Sequence, residues 1–292
     1  MSPPPIPEYE TDPFFGLTDK WLVTAPGELT HYHELGSGTP VLFLHGSGTG
    51  VTAAANWWSN LPELAKGNRC VAIDSIGYGQ TVVAEGTKYG IREWVRHAIR
   101  VLDALEIEKT WIVGNSLGGW LAFQFAIDHP ERLLGIVSMG TGGAALTAAL
   151  ASHAAPELSE AGIRRTLESF VVDKSLVTDD LVRLRYRAAL NDTATDRLAQ
   201  VVAARDRDRT ELPLDFDLLG EVTVPVLLIH RMQGAVIPVS RTWELLDAIP
   251  HADAHIFGRC GHWSQVERAA DFNELVGNYL SARTHTGRPT TP

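Results

Sequence analysis

One serine lies in a segment whose residue types could make it a nucleophile. The segment Trp111–Gly119 contains the pattern Gly-x-Ser-x-Gly centred on Ser116. A short apolar run precedes this pattern and a helical pattern follows it. The two flanking glycines permit a tight strand-to-helix turn that would lift Ser116 Oγ above a sheet. The Leu117 N–H would then lie at a helix N-terminus, where it can stabilise developing negative charge. A glycine turn with an incidental serine is the structural alternative.

A serine needs a base, and His262 is the histidine best placed to supply one. It lies in the short loop Gly258–Trp263, between the apolar run Ala254–Phe257 and the last helical segment. A loop at a strand end would bring His262 to the same rim of the sheet as Ser116. Other histidines have packing or surface interpretations: His31 and His33 on a predicted edge strand, His97 and His129 on helices, and His285 in the polar tail.

A glycine-rich loop after an early strand could complete an oxyanion hole. In Leu44–Gly50 the glycines let backbone N–H groups approach a ligand, and we expect the Ser47 N–H to act together with that of Leu117. No Lys follows in the register of a phosphate-binding loop, which disfavours a nucleotide site. Cys260 lies two residues before His262, but no second base adjoins it in the sequence, so we interpret it as a structural thiol.

The elements that must position these residues alternate between strands and helices. Strands are predicted at Leu29–Leu35, Val41–Leu44, Val71–Asp74, Trp111–Val113, Leu133–Met139, Val226–His230 and Ala254–Phe257, and helices at Arg92–Leu105, Leu117–His129 and Gln265–Ala282. Continuous apolar strands separated by helices predict an α/β fold, a mostly parallel sheet covered on both faces. The helical segments Ser159–Phe170, Thr178–Leu190 and Thr195–Arg209 interrupt this alternation. We therefore predict a core of residues 27–143 and 220–283, a helical cap over 144–219, a lead-in over 1–26 and a disordered tail over 284–292.

Composition narrows the class of function. The 292 residues carry a net charge of −10 without a local Lys/Arg cluster, which disfavours a nucleic-acid partner. The longest uncharged stretch, Leu133–Ser152, contains four glycines and reads as a buried strand and turn rather than a membrane span. Two cysteines indicate no disulfide framework and are compatible with the cytoplasm. No His/Cys/Asp set has metal-ligand spacing, so neither a metal nor an organic cofactor is expected; a homodimer is compatible with the sequence.

Several segments together resemble one family of enzymes. One is the strand-to-helix turn at Ser116, here called the elbow, with Asn115 before the serine. The others are the segments His45–Gly48, Val51–Ala53, Asn56–Trp57, Leu176–Asp180, Arg183–Tyr186 and Phe257–Gln265. From about Gly27 to Leu280 the chain is similar to the α/β-hydrolases that cleave meta-ring-fission products, above all 2-hydroxymuconic semialdehyde hydrolases. The resemblance implies an α/β-hydrolase fold with an inserted cap and no cofactor.

The resemblance also implies a substrate and a set of binding residues. The substrate would be a dienoic keto acid, whose dienol is first ketonised before water cleaves a C–C bond. Ser116 would be the nucleophile or the partner of the base that activates water, and His262 would be the general acid/base. Ser47 and Leu117 would form the oxyanion hole, and the carboxylate and oxo groups would be bound by Gly46, Asn56, Asn115, Arg185 and Trp263. These types suit the task, since Arg can fork onto a carboxylate and Asn can donate to an oxyanion. A surface charge on a cap helix is the alternative for Arg185.

The sequence departs from the family at the third member of the triad. The family's acid follows a strand in the pattern His-Gly-x-x-Asp-x-x-x-Pro, and His230–Pro238 keeps that register with Gly234 at the acid's position. No Asp or Glu occurs from Arg231 to Thr242. Three explanations stay open: an acid from elsewhere, such as Asp74 or one in the cap; Gln233 or a water orienting the ring; or an altered reaction. Asp74 itself is better explained as a residue that holds its turn. The sequence therefore predicts a small-molecule C–C hydrolase, with a non-hydrolytic isomerase, lyase, cyclase or ligand-binding protein as the alternative.

Overall fold

A computed structural model describes residues 16–143, 158–194, 196–232 and 237–284 of the chain. The described strands form one eight-stranded sheet in the order β1-β2-β4-β3-β5-β6-β7-β8. β2 is antiparallel to both β1 and β4, and the other neighbours are parallel. The predicted α/β architecture is confirmed.

The bounds of the elements are close to the sequence prediction in the core. The strands are β1 Lys20–Ala25, β2 Glu28–Leu35, β3 Thr39–Leu44, β4 Asn68–Ile73, β5 Thr110–Asn115, β6 Leu133–Met139, β7 Val226–Arg231 and β8 Asp253–Phe257. The helices are α1 Ala53–Trp57, α2 Leu61–Leu64, α3 Ile91–Ala104, α4 Leu117–Asp128, α5 Glu160–Glu168, α6 Asp179–Ala194, α7 Arg197–Glu211, α8 Phe216–Leu219, α9 Ser240–Ala248, α10 Ser264–Glu267 and α11 Ala269–Thr284. Short 3₁₀ turns occur at Pro130–Arg132 and Lys174–Leu176.

Two apolar layers hold the sheet between helices. On one face the buried side chains of α3, α4 and α9 pack against the sheet. On the other face α1, α2 and α11 do so, with Trp57, Trp111 and Phe272 almost fully buried. Strands β5 and β7 are buried along their whole length, which explains why they read as continuous apolar runs.

In the described part of the segment predicted as a helical cap, four helices, α5–α8, lie between β6 and β7. Residues 144–157 and 195 of that segment lie outside the described residues. The cap has its own apolar cluster, in which Ile163, Leu167 and Leu181 pack with Ala55 and Trp263 of the core. The cap therefore rests on the rim that carries the His262 loop.

Two sequence predictions need correction. The lead-in 1–26 is shorter than expected, since its residues Lys20–Ala25 form the edge strand β1, paired with β2 through a turn at Gly27. β2 is consequently not an edge strand, and His31 and His33 on it are buried. The helix predicted over Gln265–Ala282 is divided at Arg268, whose backbone leaves the helical region.

Three predicted features fall partly or wholly outside the described part of the chain. Gln233 and Gly234, at the acid position, lie outside it, as do residues 1–15 of the lead-in and 285–292 of the tail. Within the described ranges, no helix combines the length and the apolar character needed to cross a membrane.

Candidate active site

Ser116 forms a strained turn between β5 and α4. Its φ of 54° and ψ of −105° are rare for a residue with a side chain, and such strain persists where the surroundings enforce it. Its N–H donates to the Met139 carbonyl at 2.9 Å, and its carbonyl accepts from the Gly142 N–H at 2.8 Å. A Cβ at Gly118 would lie 2.1 Å from the Leu44 carbonyl oxygen, so the close approach of α4 to β3 requires glycine there. The elbow therefore has the backbone geometry that the motif predicts.

The loop after β3 faces this turn. A Cβ at Gly46 would lie 3.5 Å from Ser116 Cβ and 3.0 Å from Asn115 Oδ1, so the loop passes directly beside the elbow. The Gly46 N–H donates to Asn56 Oδ1 at 3.3 Å. Ser47 is half-buried, and its hydroxyl accepts from Arg205 Nη1 of cap helix α7 at 3.3 Å. Ser47 and Leu117 thus lie on the two backbone segments that the oxyanion hypothesis requires.

The buried side-chain amides of Asn56 and Asn115 bring two further donors to the region where the loop after β3 passes the elbow. Asn56 and Asn115 are each 1% exposed, and the Nδ2 atom of each has no hydrogen-bond partner among the described residues. Burying an amide donor without a partner costs about 1–3 kcal/mol. An unpartnered buried donor calls for an explanation, and a bound ligand that supplies the acceptor is one.

Arg185 points inward from cap helix α6 rather than into solvent. It is 2% exposed, its guanidinium lies 5.7 Å from the centre of the Trp263 ring, and a Cβ at Gly48 would lie 3.6 Å from its Nη2. A Cβ at Gly50 would collide with the Arg185 carbonyl oxygen, at 1.9 Å, so this loop glycine lets the cap helix approach. The surface-charge alternative for Arg185 is therefore wrong.

His262 reaches the elbow through the loop that follows β6. A Cβ at Gly140 would lie 3.1 Å from His262 Cε1, and Gly142 of the same loop donates to Ser116. The imidazole is 7% exposed, and its centre lies 5.6 Å from that of the Phe170 ring. Its Nδ1 lies 2.9 Å from Nη1 of Arg231, the last residue of β7. An arginine is thus the partner of the nitrogen that a triad acid would contact.

Asp74, the substitute acid that the sequence suggests, has other partners. Asp74 accepts the Ala53 N–H at 2.6 Å and the Gln80 N–H at 2.9 Å, and it contacts His31 Nδ1 at 2.8 Å. It holds its turn, as its alternative interpretation predicted. Glu267 of α10 accepts the backbone N–H groups of Val172, Asp173 and Gly261, which ties the His262 loop to the cap.

Sequence reasoning missed Arg205, Arg231 and Glu267. The contacts of Arg205 with Ser47 and of Glu267 with Val172 carry no local signal, because they join segments more than 90 residues apart in the chain. The departure at Arg231 could have been found from the sequence, because this residue follows His230 at a position where the family pattern has glycine.

His230 itself is a neutral ring, because burial and the neighbouring Arg231 lower its pKa to about 4.

One cluster contradicts the expectation that no metal-ligand set occurs. Ligand atoms of Asp19, His31 and His33 lie within 4.8 Å of one another, because alternate residues of a strand share a face. Burial disfavours the charged ring of His31, but Asp74 and Asp19 outweigh it and raise its pKa to about 9. A protonated imidazole bonded to two carboxylates has no free lone pair for a metal, so this cluster is better explained as a buried ion pair.

Both cysteines are unbridged and buried. Burial raises the pKa of Cys70, and likewise of Cys260, to about 12. Neither thiol is a nucleophile at neutral pH, in agreement with the structural interpretation of Cys260.

Comparison with known proteins assigns this geometry to a family. The family model for the alpha/beta hydrolase fold matches residues 39–269. The 2-hydroxymuconate semialdehyde hydrolase of Pseudomonas sp. strain CF600 is 40% identical over 89% of this chain and 93% of its own length. The 2-hydroxy-6-oxo-2,4-heptadienoate hydrolase of Pseudomonas putida is 38% identical over 89% and 96%. The solved structure of a meta-cleavage product hydrolase from Pseudomonas fluorescens IP01 superimposes with a TM-score of 0.84 at 38% identity, over 90% of this chain and 97% of that one.

Proposed function

The chain belongs to the alpha/beta hydrolase family, and from this premise we propose that it hydrolyses a C–C bond in a dienoic keto acid of the meta-ring-fission type. Relatives at 35–40% identity are named as hydrolases of such compounds. The observation that carries the proposal is the strained Ser116 beside two buried amide donors and an inward-facing arginine. A small anionic substrate with oxo groups matches that set of charges and donors.

In this proposal each site residue has a definite role. Ser116 is the nucleophile, and the N–H groups of Ser47 and Leu117 receive the oxyanion. Arg185, stacked on Trp263, binds the carboxylate, since a guanidinium forks onto two oxygens. Asn56 and Asn115 donate to the remaining oxo groups through their Nδ2 atoms, with Gly46 leaving room beside the elbow. His262 moves protons between substrate, Ser116 and water.

A non-hydrolytic protein on the same scaffold is not favoured. The relatives named above share the chain over nearly their whole length and are hydrolases. The Ser116 turn and the His262 loop both reach the segment Met139–Gly142, which is what a serine–histidine pair requires.

The test is a spectrophotometric assay with a yellow meta-cleavage dienolate. Cleavage bleaches the substrate, ketonisation alone shifts its absorption band, and a binding protein perturbs the band only in proportion to the protein added. We expect catalytic bleaching by the native chain. Stoichiometric perturbation alone would refute the proposed function.

Replacing Ser116 by Ala should abolish bleaching and leave substrate binding intact, because one oxygen is lost from a preformed pocket. In a complete triad, removal of the nucleophile lowers turnover by roughly 10⁶-fold, which is the upper bound for the loss here because this chain has no acid at the usual triad position. The matched control is Ser138→Ala, a buried serine of the neighbouring strand that hydrogen-bonds Thr141 instead of lining the turn. If Ser116→Ala bleaches the dienolate as fast as this control, the elbow assignment is wrong.

The cytoplasmic location and the homodimer suggested by the sequence belong to the same proposal. The two buried, unbridged cysteines support a reducing compartment. Cell fractionation tests the location, and sedimentation velocity distinguishes a monomer from a homodimer.

A further inference from the structure

The far nitrogen of His262 faces a cation. Arg231 and His262 are 3% and 7% exposed, and Arg231 Nη1 lies 2.9 Å from His262 Nδ1. Arg231 pairs with Phe257 across β7 and β8, and the His262 loop begins directly after Phe257. The sheet itself therefore sets this contact.

The chemistry of the two groups decides where the proton lies. A guanidinium has five N–H donors and no acceptor, so Arg231 donates and Nδ1 must accept. A neutral imidazole carries one N–H, which is then on Nε2. Burial lowers the pKa of Arg231 to about 10, so the guanidinium remains charged at neutral pH.

A triad acid imposes the opposite arrangement. Its carboxylate accepts the Nδ1–H, which leaves the Nε2 lone pair to take the serine proton. When the wrong tautomer is enforced in a triad, turnover falls by roughly 10⁴-fold.

We propose that Arg231 is a positioning residue that holds His262 in its Nε2–H tautomer. In the resting protein the ring then offers a hydrogen-bond donor at Nε2, and it can act as the base of the proposed function only after its Nδ1 contact with Arg231 breaks. A donor at Nε2 stabilises negative charge on a substrate oxygen, whereas proton removal from Ser116 is disfavoured. The chain is consequently a slow cleaver of its substrate; this consequence rests on the proposed function.

Described residues on the neighbouring elements leave this assignment unchanged. Cys260, in the same loop, has a thiol pKa raised to about 12 and stays neutral. Glu267 of α10 uses its carboxylate on three backbone N–H groups. The cap contributes the Phe170 ring, and the loop after β6 contributes Gly140, neither of which titrates.

The tautomer can be measured without substrate, by nitrogen-15 NMR of the full chain labelled in its histidines. The His262 signals are those missing from a His262→Gln variant. We expect the proton on Nε2 and a bare Nδ1 at pH 7. A proton on Nδ1 in the native chain would overturn the proposal, whatever the activity.

Two matched variants then connect the tautomer to catalysis. In Arg231→Glu the carboxylate can only accept, so the proton should move to Nδ1 and kcat for dienolate cleavage should rise, at most roughly 10⁴-fold, with little change in KM. Arg231→Lys can only donate, so tautomer and kcat should stay near the native values. Equal kcat changes in both variants, or a tautomer that Glu does not move, would refute the role of Arg231.

The proposed function and the proposed role of Arg231 can be refuted independently of each other. If no form bleaches the dienolate but the native ring carries its proton on Nε2, the proposed function fails and the role of Arg231 stands. If the native chain cleaves rapidly with the proton on Nδ1, the reverse holds.

Discussion

At the scale of single residues, backbone strain distinguishes Ser116. Four described non-glycine residues have positive φ, namely Glu106, Ser116, Asp196 and Arg259. The ψ of −105° removes Ser116 from the left-handed helical region that Asp196 occupies with a ψ of 10°. Strain of this kind costs on the order of 1–3 kcal/mol. The hydrogen bonds to Met139 and Gly142 hold the turn against that cost.

Replacing Arg185 by Gln should mainly weaken substrate binding. The loss of a charge-assisted fork is worth about 1.5–3 kcal/mol, so we expect KM for a dienoate to rise roughly 10- to 100-fold with a smaller change in kcat. Arg183→Gln is the control, because Arg183 lies on the same helix with its side chain half exposed and paired with Asp180. Steady-state kinetics on both variants checks this. Equal effects would show that Arg185 acts only through cap structure.

Introducing an acid at Gly234 tests whether the triad can be rebuilt. Gly234→Asp alone should give little gain, because Arg231 would still donate to Nδ1. Combined with Arg231→Gly, it should raise cleavage by up to roughly 10⁴-fold, the contribution of a triad acid. A double-mutant cycle in kcat measures the coupling. Additive single effects would show that the two positions act independently.

The residues that could be predicted from the sequence carry their signal locally. Gly114, Ser116 and Gly118 lie within five positions and define one turn, so the pattern predicts its geometry. The contact between Arg231 and His262 joins positions 31 residues apart, across two strands and a helix. It depends on the pairing of β7 with β8, and residue spacing alone does not encode a side-chain direction across a sheet.

At the scale of elements, buried apolar runs are the features that sequence predicts best. β6 is observed with the predicted bounds, Leu133–Met139, because it is apolar and covered on both faces. β1 was missed because its side chains are half-buried and its pattern is mixed. The break at Arg268 involves neither Gly nor Pro, so helical periodicity continues through it.

The ion pair between β2 and the turn after β4 should make stability depend on pH. The pKa of His31 is raised above its ordinary 6.5 to about 9, so its contribution is complete below pH 6.5 and is lost as pH rises through about 9. The pKa of Asp74 lies below its usual range, so its contribution is present above about pH 4 and is lost in acid. Urea unfolding over a pH series should show a plateau from about pH 4 to 6.5 and a decline towards pH 9.

Variants of His31 and His33 distinguish the effect of the His31–Asp74 ion pair on stability from the effect of burying a histidine. His31→Gln should remove the alkaline decline and lower the free energy of unfolding by about 3–5 kcal/mol, because Asp74 loses its charged partner. His33→Gln should keep the decline, since burial lowers the pKa of His33 and its ring is neutral. A decline that persists in His31→Gln would assign it to another group.

At the scale of the whole molecule, polar attachments fix the cap on the core at two sides. Asp208 of α7 is 1% exposed and accepts the Ile91 N–H, at the start of α3, at 2.6 Å. On the other side Glu267 accepts from Val172 at 2.7 Å and from Asp173 at 2.8 Å. The cap and the His262 loop should therefore loosen together.

Replacing Glu267 by Gln should weaken the attachment of the cap residues Val172 and Asp173 and of the His262 loop to α10. An amide has one acceptor oxygen where the carboxylate has two, so at least one of the three N–H groups loses its partner, and we expect local opening to become easier by roughly 1–3 kcal/mol. Hydrogen exchange of the Val172, Asp173 and Gly261 amides measures it. Glu274→Gln, on the exposed face of α11, is the control. Unchanged exchange at Gly261 would mean that the loop is held by other contacts.

The burial of both native thiols makes this chain convenient for site-specific labelling. Cys70 and Cys260 are 0% exposed and protonated at neutral pH, so maleimide reagents should spare them in the folded protein. A cysteine introduced at Val172, which is 59% exposed on the cap, would then be the preferred reactive site without any background mutation. A fluorophore there would record opening of the cap in real time as substrate enters.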